Sequence, residues 1–170
     1  GLTCAHYLTS IGYTIDVFEA EKVAGGMLAY GIPEYRLPKR TLQHEIELIQ
    51  REGVNIHLNT RVGDDISFED LRDKYDAIYI AAGTQHAQTI DLPGENLNGV
   101  IHGIDFLKAV SFGEKIEIGK NIVIIGGGNT AIDAARTALR MGADNVTIVY
   151  RRSRSLMPAY EEEVIEAMEE

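Results

Sequence analysis

A glycine-rich turn between an apolar run and a helical pattern constrains the fold of this 170-residue sequence more than any other feature. Residues 122–125 are a continuous apolar run, typical of a parallel strand that is buried on both faces. Gly126, Gly128 and Ala131 follow with the spacing G-x-G-x-x-A. In this pattern the first glycine permits a tight turn, the second lets a phosphate approach the backbone, and the alanine keeps the following helix close to the sheet.

The residues after this turn predict the rest of a β-α-β unit. An alanine-rich helical pattern ends at Gly142, and residues 146–150 form a second apolar strand. The first N–H groups of such a helix and its positive dipole end face the turn, so the backbone itself can bind an anion. The pattern therefore predicts a dinucleotide-binding unit, and the alternative is an α/β packing turn without a ligand.

The end of the second strand indicates which dinucleotide the unit takes. Enzymes that bind NAD usually carry an acidic residue at this place, which accepts a hydrogen bond from the ribose 2′-hydroxyl. This sequence has Arg151 and Arg152 instead, with Arg154 close by. Arginine binds a phosphate through charge-assisted, often bidentate hydrogen bonds, so the pattern favours NADP over NAD. The alternative is a solvated basic loop.

The first residues resemble the second half of another dinucleotide fingerprint. An amphipathic helical pattern ends at Gly12, a strand is predicted over 13–18, and Glu19 stands where a ribose-binding carboxylate is expected. If Gly1 is the third glycine of that fingerprint, its first strand and first two glycines precede this sequence. We therefore expect the sequence to be a segment of a longer polypeptide. In the alternative interpretation Glu19 is an exposed carboxylate at a strand end.

A loop rich in glycine, proline and aromatic residues follows, with the sequence AGGMLAYGIPEYRLPK. It is too long and too distinctive for a simple connector. Gly25 and Gly26 would let a cofactor approach the backbone, Met27 would contribute to an apolar wall, and Arg36 would place a cation nearby. The spacing of these residues is equally compatible with an ordinary packed loop that binds no cofactor.

The remaining residues predict scaffold elements. A helix is predicted to begin at Pro38 and to end at Gly53, and a strand over 54–58 is followed by Val62 and Gly63, which end it. A short turn capped by Ser67 and a strand over 75–82 that ends in Gly83 come next. Two further helices are predicted, one over 104–110 and one after Pro158 whose first turn is acidic.

Composition and side-chain chemistry exclude several functional classes. The net charge of −10 disfavours nucleic acid and anionic membranes as partners, and no apolar run approaches the length of a membrane span. Cys4 is the only cysteine, so these residues contain no intrachain disulfide, no C-x-x-C pair and no iron–sulfur ligand set. The five histidines lack metal-ligand spacing, and we find no catalytic triad or paired carboxylates. A reducing, cytoplasmic location fits best.

Three segments give the sequence a specific family resemblance. The loop GGMLAYGIPEYRLPK, the strand end AAGT, and the run IVIIGGGNTAIDAARTALRMGA with VYRRSRSLMPA resemble the family of the NADPH-dependent glutamate synthase small subunit. That family also includes the flavin half of dihydropyrimidine dehydrogenase and the NADPH-binding subunit of bifurcating ferredoxin:NADP oxidoreductase. The resemblance extends over nearly the whole sequence.

The resemblance implies an α/β fold of two Rossmann-like dinucleotide-binding units, an FAD domain with an inserted NAD(P) domain, both incomplete in these residues. The expected limits are 1–118 for the partial FAD-binding domain and 119–170 for the partial NAD(P)-binding domain. The implied FAD contacts are Gly1, Glu19, Gly25, Gly26, Met27, Arg36, Val62 and Gly83. The implied NADP contacts are Gly126, Gly128, Asn129 and Thr130 on the pyrophosphate, with Arg151 and Arg152 on the 2′-phosphate.

The activity implied by the resemblance is hydride transfer from NADPH to FAD, followed by electron transfer to iron–sulfur centres outside these residues or on a partner subunit. The cofactors supply this chemistry, so we expect neither a catalytic side chain nor a metal site. A thioredoxin-reductase-like enzyme is disfavoured because residues 106–120, before the second fingerprint, lack a C-x-x-C pair. The alternatives that remain are a non-catalytic cofactor-binding scaffold and an NADH-using relative. The final electron acceptor stays open, and an oligomer is compatible with the sequence.

Overall fold

The computed structural model describes residues 1–87, 89 and 91–170. The helices and strands follow in chain order as α1 (Leu2–Ser10), β1 (Asp16–Phe18), α2 (Met27–Tyr30), α3 (Lys39–Arg51), β2 (Asn55–His57), α4 (Phe68–Lys74), α5 (Gly103–Ser111), β3 (Asn121–Ile125), α6 (Asn129–Arg140), β4 (Asn145–Val149) and α7 (Glu161–Glu169). A single turn of 3-10 helix spans Arg154–Leu156. The predicted alternation of helices and strands is confirmed for the other elements, whereas α2 lies in the segment predicted as a loop and α4 replaces the short turn predicted after Ser67.

The residues form two units. The first unit comprises residues 1–29 and 37–85, and the second comprises residues 30–36 and 86–170. These limits differ from the expected domain limits of 1–118 and 119–170, which concern cofactor binding and stay a prediction. Within the described ranges, no helix is long and apolar enough to cross a membrane.

The first unit is built around a pair of parallel strands. In this pair β1 and β2 run in register, with Asp16 opposite Asn55 and Phe18 opposite His57. The Asp16 carboxylate accepts hydrogen bonds from the His57 ring, at 2.7 Å, and from the Tyr75 hydroxyl, at 2.9 Å. The hydrogen bond from His57 holds the pKa of Asp16 below its usual value, although partial burial opposes that shift.

One predicted strand is absent. Residues 75–82 form no regular element, and the side chains of Ile78, Tyr79 and Ile80 are exposed. An apolar run becomes a strand only when its backbone finds a pairing partner. In the part of the chain that the structure describes, the sheet of this unit contains β1 and β2 alone, so the prediction of a strand over 75–82 is wrong for this structure.

The second unit contains the predicted β-α-β arrangement. Strands β3 and β4 are parallel and in register from Asn121 opposite Asn145 to Ile125 opposite Val149. One face of this pair packs against α5 and α6 in an apolar core. The core consists of Phe106, Leu107, Ala134, Ala138 and Ala143, with Val110, Ile116, Ile118, Ile122, Ile124 and Val146 packed around them. Alanines let α6 approach the sheet closely, as the alanine-rich pattern predicted.

A cluster of charged side chains attaches residues 30–36 to α6 and α7. Arg36 donates to Asp133 at 2.8 Å and to Glu163 at 2.6 Å, and the Tyr35 hydroxyl donates to Asp133 at 3.4 Å. Asp133 is 4% exposed. Burial raises the pKa of the Asp133 carboxyl, while the Arg36 charge counteracts that rise. A buried carboxylate needs such partners because its desolvation is otherwise costly.

The Tyr35 ring also contacts two arginines of α6. The guanidinium carbons of Arg136 and Arg140 lie 4.7 and 4.1 Å from the ring centroid, a cation–π arrangement. Both arginines also donate to Glu170, at 2.7 and 2.6 Å, and Arg136 donates to Glu166 at 2.7 Å. These hydrogen bonds, from Arg136 above all, lower the pKa of Glu170. Residues 30–36, α6 and α7 are thus joined by one ionic network.

The buried Asp133 generates a stability prediction. Asp133→Ala removes the acceptor of the Arg36 and Tyr35 hydrogen bonds, so we expect it to lower the free energy of unfolding by about 1.5 to 3 kcal/mol. The matched control is Asp144→Ala. Asp144 pairs with Lys120 at 3.1 Å on the surface, and its removal should cost less than about 1 kcal/mol. Urea unfolding measures both, and equal losses would contradict the structural role given to Asp133.

The half-buried phenol of Tyr35 generates a pH prediction. Burial raises the pKa of Tyr35 to about 12, and the nearby Asp133 charge adds to the rise. The unfolded chain, with an ordinary pKa of about 10, therefore loses this proton first as the pH rises, which favours unfolding. The contribution of Tyr35 to the free energy of unfolding should be fully present below pH 10 and should be lost as the pH rises from 10 to 12.

Urea midpoints measured at pH 8.5 and 11 test this dependence. The fall in the urea midpoint from pH 8.5 to pH 11 should be smaller in Tyr35→Phe, because phenylalanine has no phenolic proton to lose. Tyr13→Phe serves as the control because the Tyr13 side chain is 63% exposed, and it should decline as the wild type does. A Tyr35→Phe variant that declines as much as the wild type would assign the alkaline loss to other groups.

Candidate functional site: the glycine turn and the arginine loop

The candidate site lies at the carboxyl ends of β3 and β4. Because these strands are parallel and in register, the turn after β3 and the loop after β4 leave the sheet at the same edge. We call residues 126–130 the glycine turn and residues 151–160 the arginine loop. The N–H of Gly126 donates to the Val149 carbonyl at 2.9 Å, so the glycine turn is hydrogen-bonded to β4 where the arginine loop starts. Ligands of open α/β sheets bind at this edge.

The glycine turn has the geometry that the sequence predicted. Gly126 has a φ of 153°, and a Cβ placed on it would lie 3.2 Å from the Ala131 Cβ, so only a residue without a side chain lets α6 start so close to the strand. Gly128 is the N-cap of α6, and no atom lies within 4 Å of where its Cβ would be. The open space beside Gly128 fits a phosphate that approaches the backbone.

The start of α6 offers hydrogen-bond donors to an anion. No side chain caps this end of the helix. The first turn carries no acidic residue that would repel a phosphate. Within the described ranges the backbone N–H groups of Gly128, Asn129 and Thr130 donate to no protein acceptor. Such groups at a helix N-terminus bind phosphate directly and are helped by the helix dipole.

Arg151 and Arg152 lie in an exposed bend directly after Tyr150. In the described part of the chain neither side chain forms an ion pair or a hydrogen bond, so both guanidinium groups can reach a ligand. An open cleft of about 670 Å³ is lined by later residues of the arginine loop and by α7, among them Ser153, Arg154 and Val164. The proposed contact with a 2′-phosphate stays a prediction.

The FAD contacts expected in the first unit are distributed over several loops. Gly1 is the N-cap of α1, and the Glu19 carboxylate accepts a hydrogen bond from the Glu21 N–H at 2.9 Å. Gly25 and Gly26 both have a positive φ, at 114° and 56°. The other members of the set are Met27, which begins α2, Val62, which bridges to Ile66, and Gly83, which has a φ of 69°. Their roles stay predictions.

Arg36 differs from the other expected FAD contacts. It belongs to the second unit, where its guanidinium is held by Asp133 and Glu163. Its side chain is 23% exposed. The structure thus gives Arg36 a role in the ionic network that the sequence interpretation missed, and a contact with FAD stays a prediction.

Two tyrosines of the site, Tyr160 and Tyr150, were not identified from the sequence. The Asn129 side-chain oxygen accepts a hydrogen bond from the Tyr160 N–H at 3.0 Å, and the ring of Tyr150 covers Gly127. The sequence signal for the Tyr150 contact was Gly127, the middle residue of the run GGG. The G-x-G-x-x-A pattern does not require a glycine there, but the ring of Tyr150 leaves no room for a side chain. Among the residues that the structure describes, no cluster of histidine, cysteine and carboxylate side chains could hold a metal ion.

Comparison with curated proteins finds relatives that extend over the whole chain. The NADPH-Fe(3+) oxidoreductase subunit beta of Geobacter sulfurreducens is 46% identical over 175 residues, which cover 100% of this chain and 26% of that protein. The NADP(+)-dependent formate dehydrogenase subunit beta of Moorella thermoacetica is 46% identical, covering 98% of this chain and 24% of the relative. The glutamate synthase [NADPH] small chain of Azospirillum brasilense is 38% identical, and 38% of its length is covered.

Among solved structures, FprA of Mycobacterium tuberculosis in complex with NADPH matches with a TM-score of 0.80. The match covers 99% of this chain and 44% of FprA at 21% identity, which shows a common fold. The chain therefore spans between 24% and 44% of the length of these proteins. The family model for the pyridine nucleotide-disulphide oxidoreductases matches residues 1–170. The chain belongs to the pyridine nucleotide-disulphide oxidoreductase family.

Proposed function

We propose that this chain is the part of a flavoprotein oxidoreductase that binds NADPH and contributes to FAD binding. The observation that carries the proposal is the common edge of β3 and β4, where an open glycine turn with unpaired N–H donors lies next to two exposed arginines. The turn suits a pyrophosphate, and the arginines suit the 2′-phosphate that distinguishes NADP from NAD. Relatives named as NADPH-Fe(3+) oxidoreductase and glutamate synthase [NADPH] subunits support the choice of NADPH.

The bound cofactors would supply the redox chemistry, a hydride transfer from the nicotinamide to the flavin. The residues of this chain bind and orient them. The backbone of Gly128, Asn129 and Thr130 would hold the pyrophosphate of NADP, and Arg151 and Arg152 its 2′-phosphate. Gly25, Gly26 and Glu19 would hold part of the FAD.

Electrons would leave the flavin for iron–sulfur centres that lie outside these residues or on a partner subunit. The relatives named as subunits of larger enzymes support this part of the proposal. The partner subunit, the final electron acceptor and any oligomeric assembly would be determined by the whole protein, of which these residues form a part. A cytoplasmic location is proposed on the same grounds, together with the single cysteine expected of a reducing compartment.

An anaerobic titration of the full-length protein with NADPH and, separately, with NADH tests the function directly. We expect the visible flavin band to bleach at a lower concentration of NADPH than of NADH, since only NADPH carries the phosphate that the arginines would bind. Bleaching by NADH alone would make the protein an NADH-using relative. A purified protein without a flavin band, or one that oxidises no NADPH with an artificial acceptor, would instead be a cofactor-binding scaffold.

The arginine assignment has a separate test. In the double variant Arg151→Ala/Arg152→Ala, the ratio of NADPH affinity to NADH affinity should fall at least tenfold, which corresponds to 1.4 kcal/mol. The control is Arg72→Ala, which removes a surface arginine at the end of α4 in the first unit and should leave the ratio unchanged. A ratio that stays within about threefold of wild type in the double variant would place the 2′-phosphate elsewhere.

A further inference from the structure

The arginine loop is hydrogen-bonded to the glycine turn at its far end. The N–H of Ala159 donates to the Gly127 carbonyl at 3.1 Å, and the N–H of Tyr160 donates to the Asn129 side-chain oxygen at 3.0 Å. Ala159 and Tyr160, the last residues of the arginine loop, are therefore fixed on the glycine turn. Between its two ends the loop holds the exposed side chains of Arg151 and Arg152.

The near end of the loop is fixed by Tyr150. Its ring covers Gly127 so closely that a Cβ on Gly127 would lie 2.6 Å from Cδ2 and 2.8 Å from Cε2 and Cγ of the ring. Real side chains do not approach so closely, and Gly127 is buried beneath the ring. The Tyr150 hydroxyl donates to the Leu156 carbonyl at 3.1 Å, across the loop. One side chain thus contacts both the glycine turn and the middle of the arginine loop.

We propose that Tyr150 is a positioning residue that fixes Arg151 and Arg152 relative to the glycine turn and thereby contributes to the preference for a nucleotide with a 2′-phosphate. The inference rests on the proposed function of the site. The pyrophosphate and the 2′-phosphate belong to one ligand, so both contacts form together only when the turn and the arginines are held at a fixed separation. Bidentate arginine contacts tolerate little displacement. Tyr150 touches neither phosphate and acts through the loop that follows it.

Two substitutions of Tyr150 separate the contributions of its ring and its hydroxyl. Tyr150→Phe keeps the ring on Gly127 and loses the hydrogen bond to Leu156, so the NADPH:NADH affinity ratio should stay within about threefold of wild type. Tyr150→Ala loses both contacts, and the ratio should fall at least tenfold through weaker NADPH binding. Its affinity for NADH should fall much less than its affinity for NADPH, and its flavin content should stay close to that of wild type. All values come from flavin titrations of the full-length protein.

The control for loss of a tyrosine is Tyr13→Ala, an exposed position in the first unit, which should not alter the ratio. The inference is overturned if Tyr150→Ala keeps the wild-type ratio, or if it weakens NADPH and NADH equally. The second result would mean that Tyr150 supports the nucleotide site as a whole and has no part in selecting the 2′-phosphate.

Gly127→Ala provides an independent test because Gly127 is the residue that the Tyr150 ring covers. The added Cβ would displace the Tyr150 ring, so this variant should reproduce the selective loss of NADPH affinity. Added to Tyr150→Ala, it should cause no further loss, because the ring that it displaces is gone. A wild-type ratio in Gly127→Ala, or losses that add in the double variant, would contradict the inference even if Tyr150→Ala failed to fold.

The arginine variants distinguish the failure of this inference from the failure of the proposed function. If Arg151→Ala/Arg152→Ala lowers the affinity ratio while Tyr150→Ala does not, the site binds the 2′-phosphate as proposed and Tyr150 has no positioning role. If neither set of variants alters the ratio, the assignment of the 2′-phosphate to this loop is wrong, and the inference falls with it.

Discussion

The burial of α6 is the constraint on which the second unit depends. Seven of its twelve residues, from Ile132 to Ala138, are consecutive and buried, so the helix needs a complementary neighbour on almost every side. Alanines allow close packing against β3, β4 and α5, whereas Asp133 and Arg136 are stable there only because charged partners compensate their lost hydration. The same packing fixes the direction of the helix axis. Its N-terminal N–H groups consequently lie at the glycine turn, beside the open space at Gly128.

In the proposed function, the two halves of the candidate site would divide the recognition of a dinucleotide between backbone and side chains. The glycine turn offers N–H donors that fit the pyrophosphate common to NAD and NADP, so it would set affinity without distinguishing the two. Selection would then depend on the side chains that follow β4. This arrangement means that coenzyme preference can change through the arginine loop while the packing of α6 on the sheet is kept.

Most elements could be predicted from the sequence because their signals are local. Apolar periodicity, the glycines that end helices and the G-x-G-x-x-A spacing each lie within a dozen residues. The predicted strand over 75–82 failed because its formation depends on a partner strand, which a local pattern does not contain. The Asp133 hydrogen bonds also escaped prediction, since Tyr35 and Arg36 lie 98 and 97 residues away along the chain. Arg36 was identified as a cation of interest, but its acidic partners were visible only in three dimensions.

The assignment of residues 30–36 to the second unit has a consequence for how the chain can be divided. The polypeptide crosses between the units at residues 29–30, 36–37 and 85–86, so the second unit is discontinuous in sequence. A fragment that begins at residue 86 or at residue 119 would retain α6 but leave Tyr35 and Arg36 behind. Asp133 would then lose its donors and Arg136 the aromatic ring beside it. Separating the nucleotide-binding half as an independent protein therefore requires that residues 30–36 be kept with it, or that Asp133 be replaced by an uncharged residue.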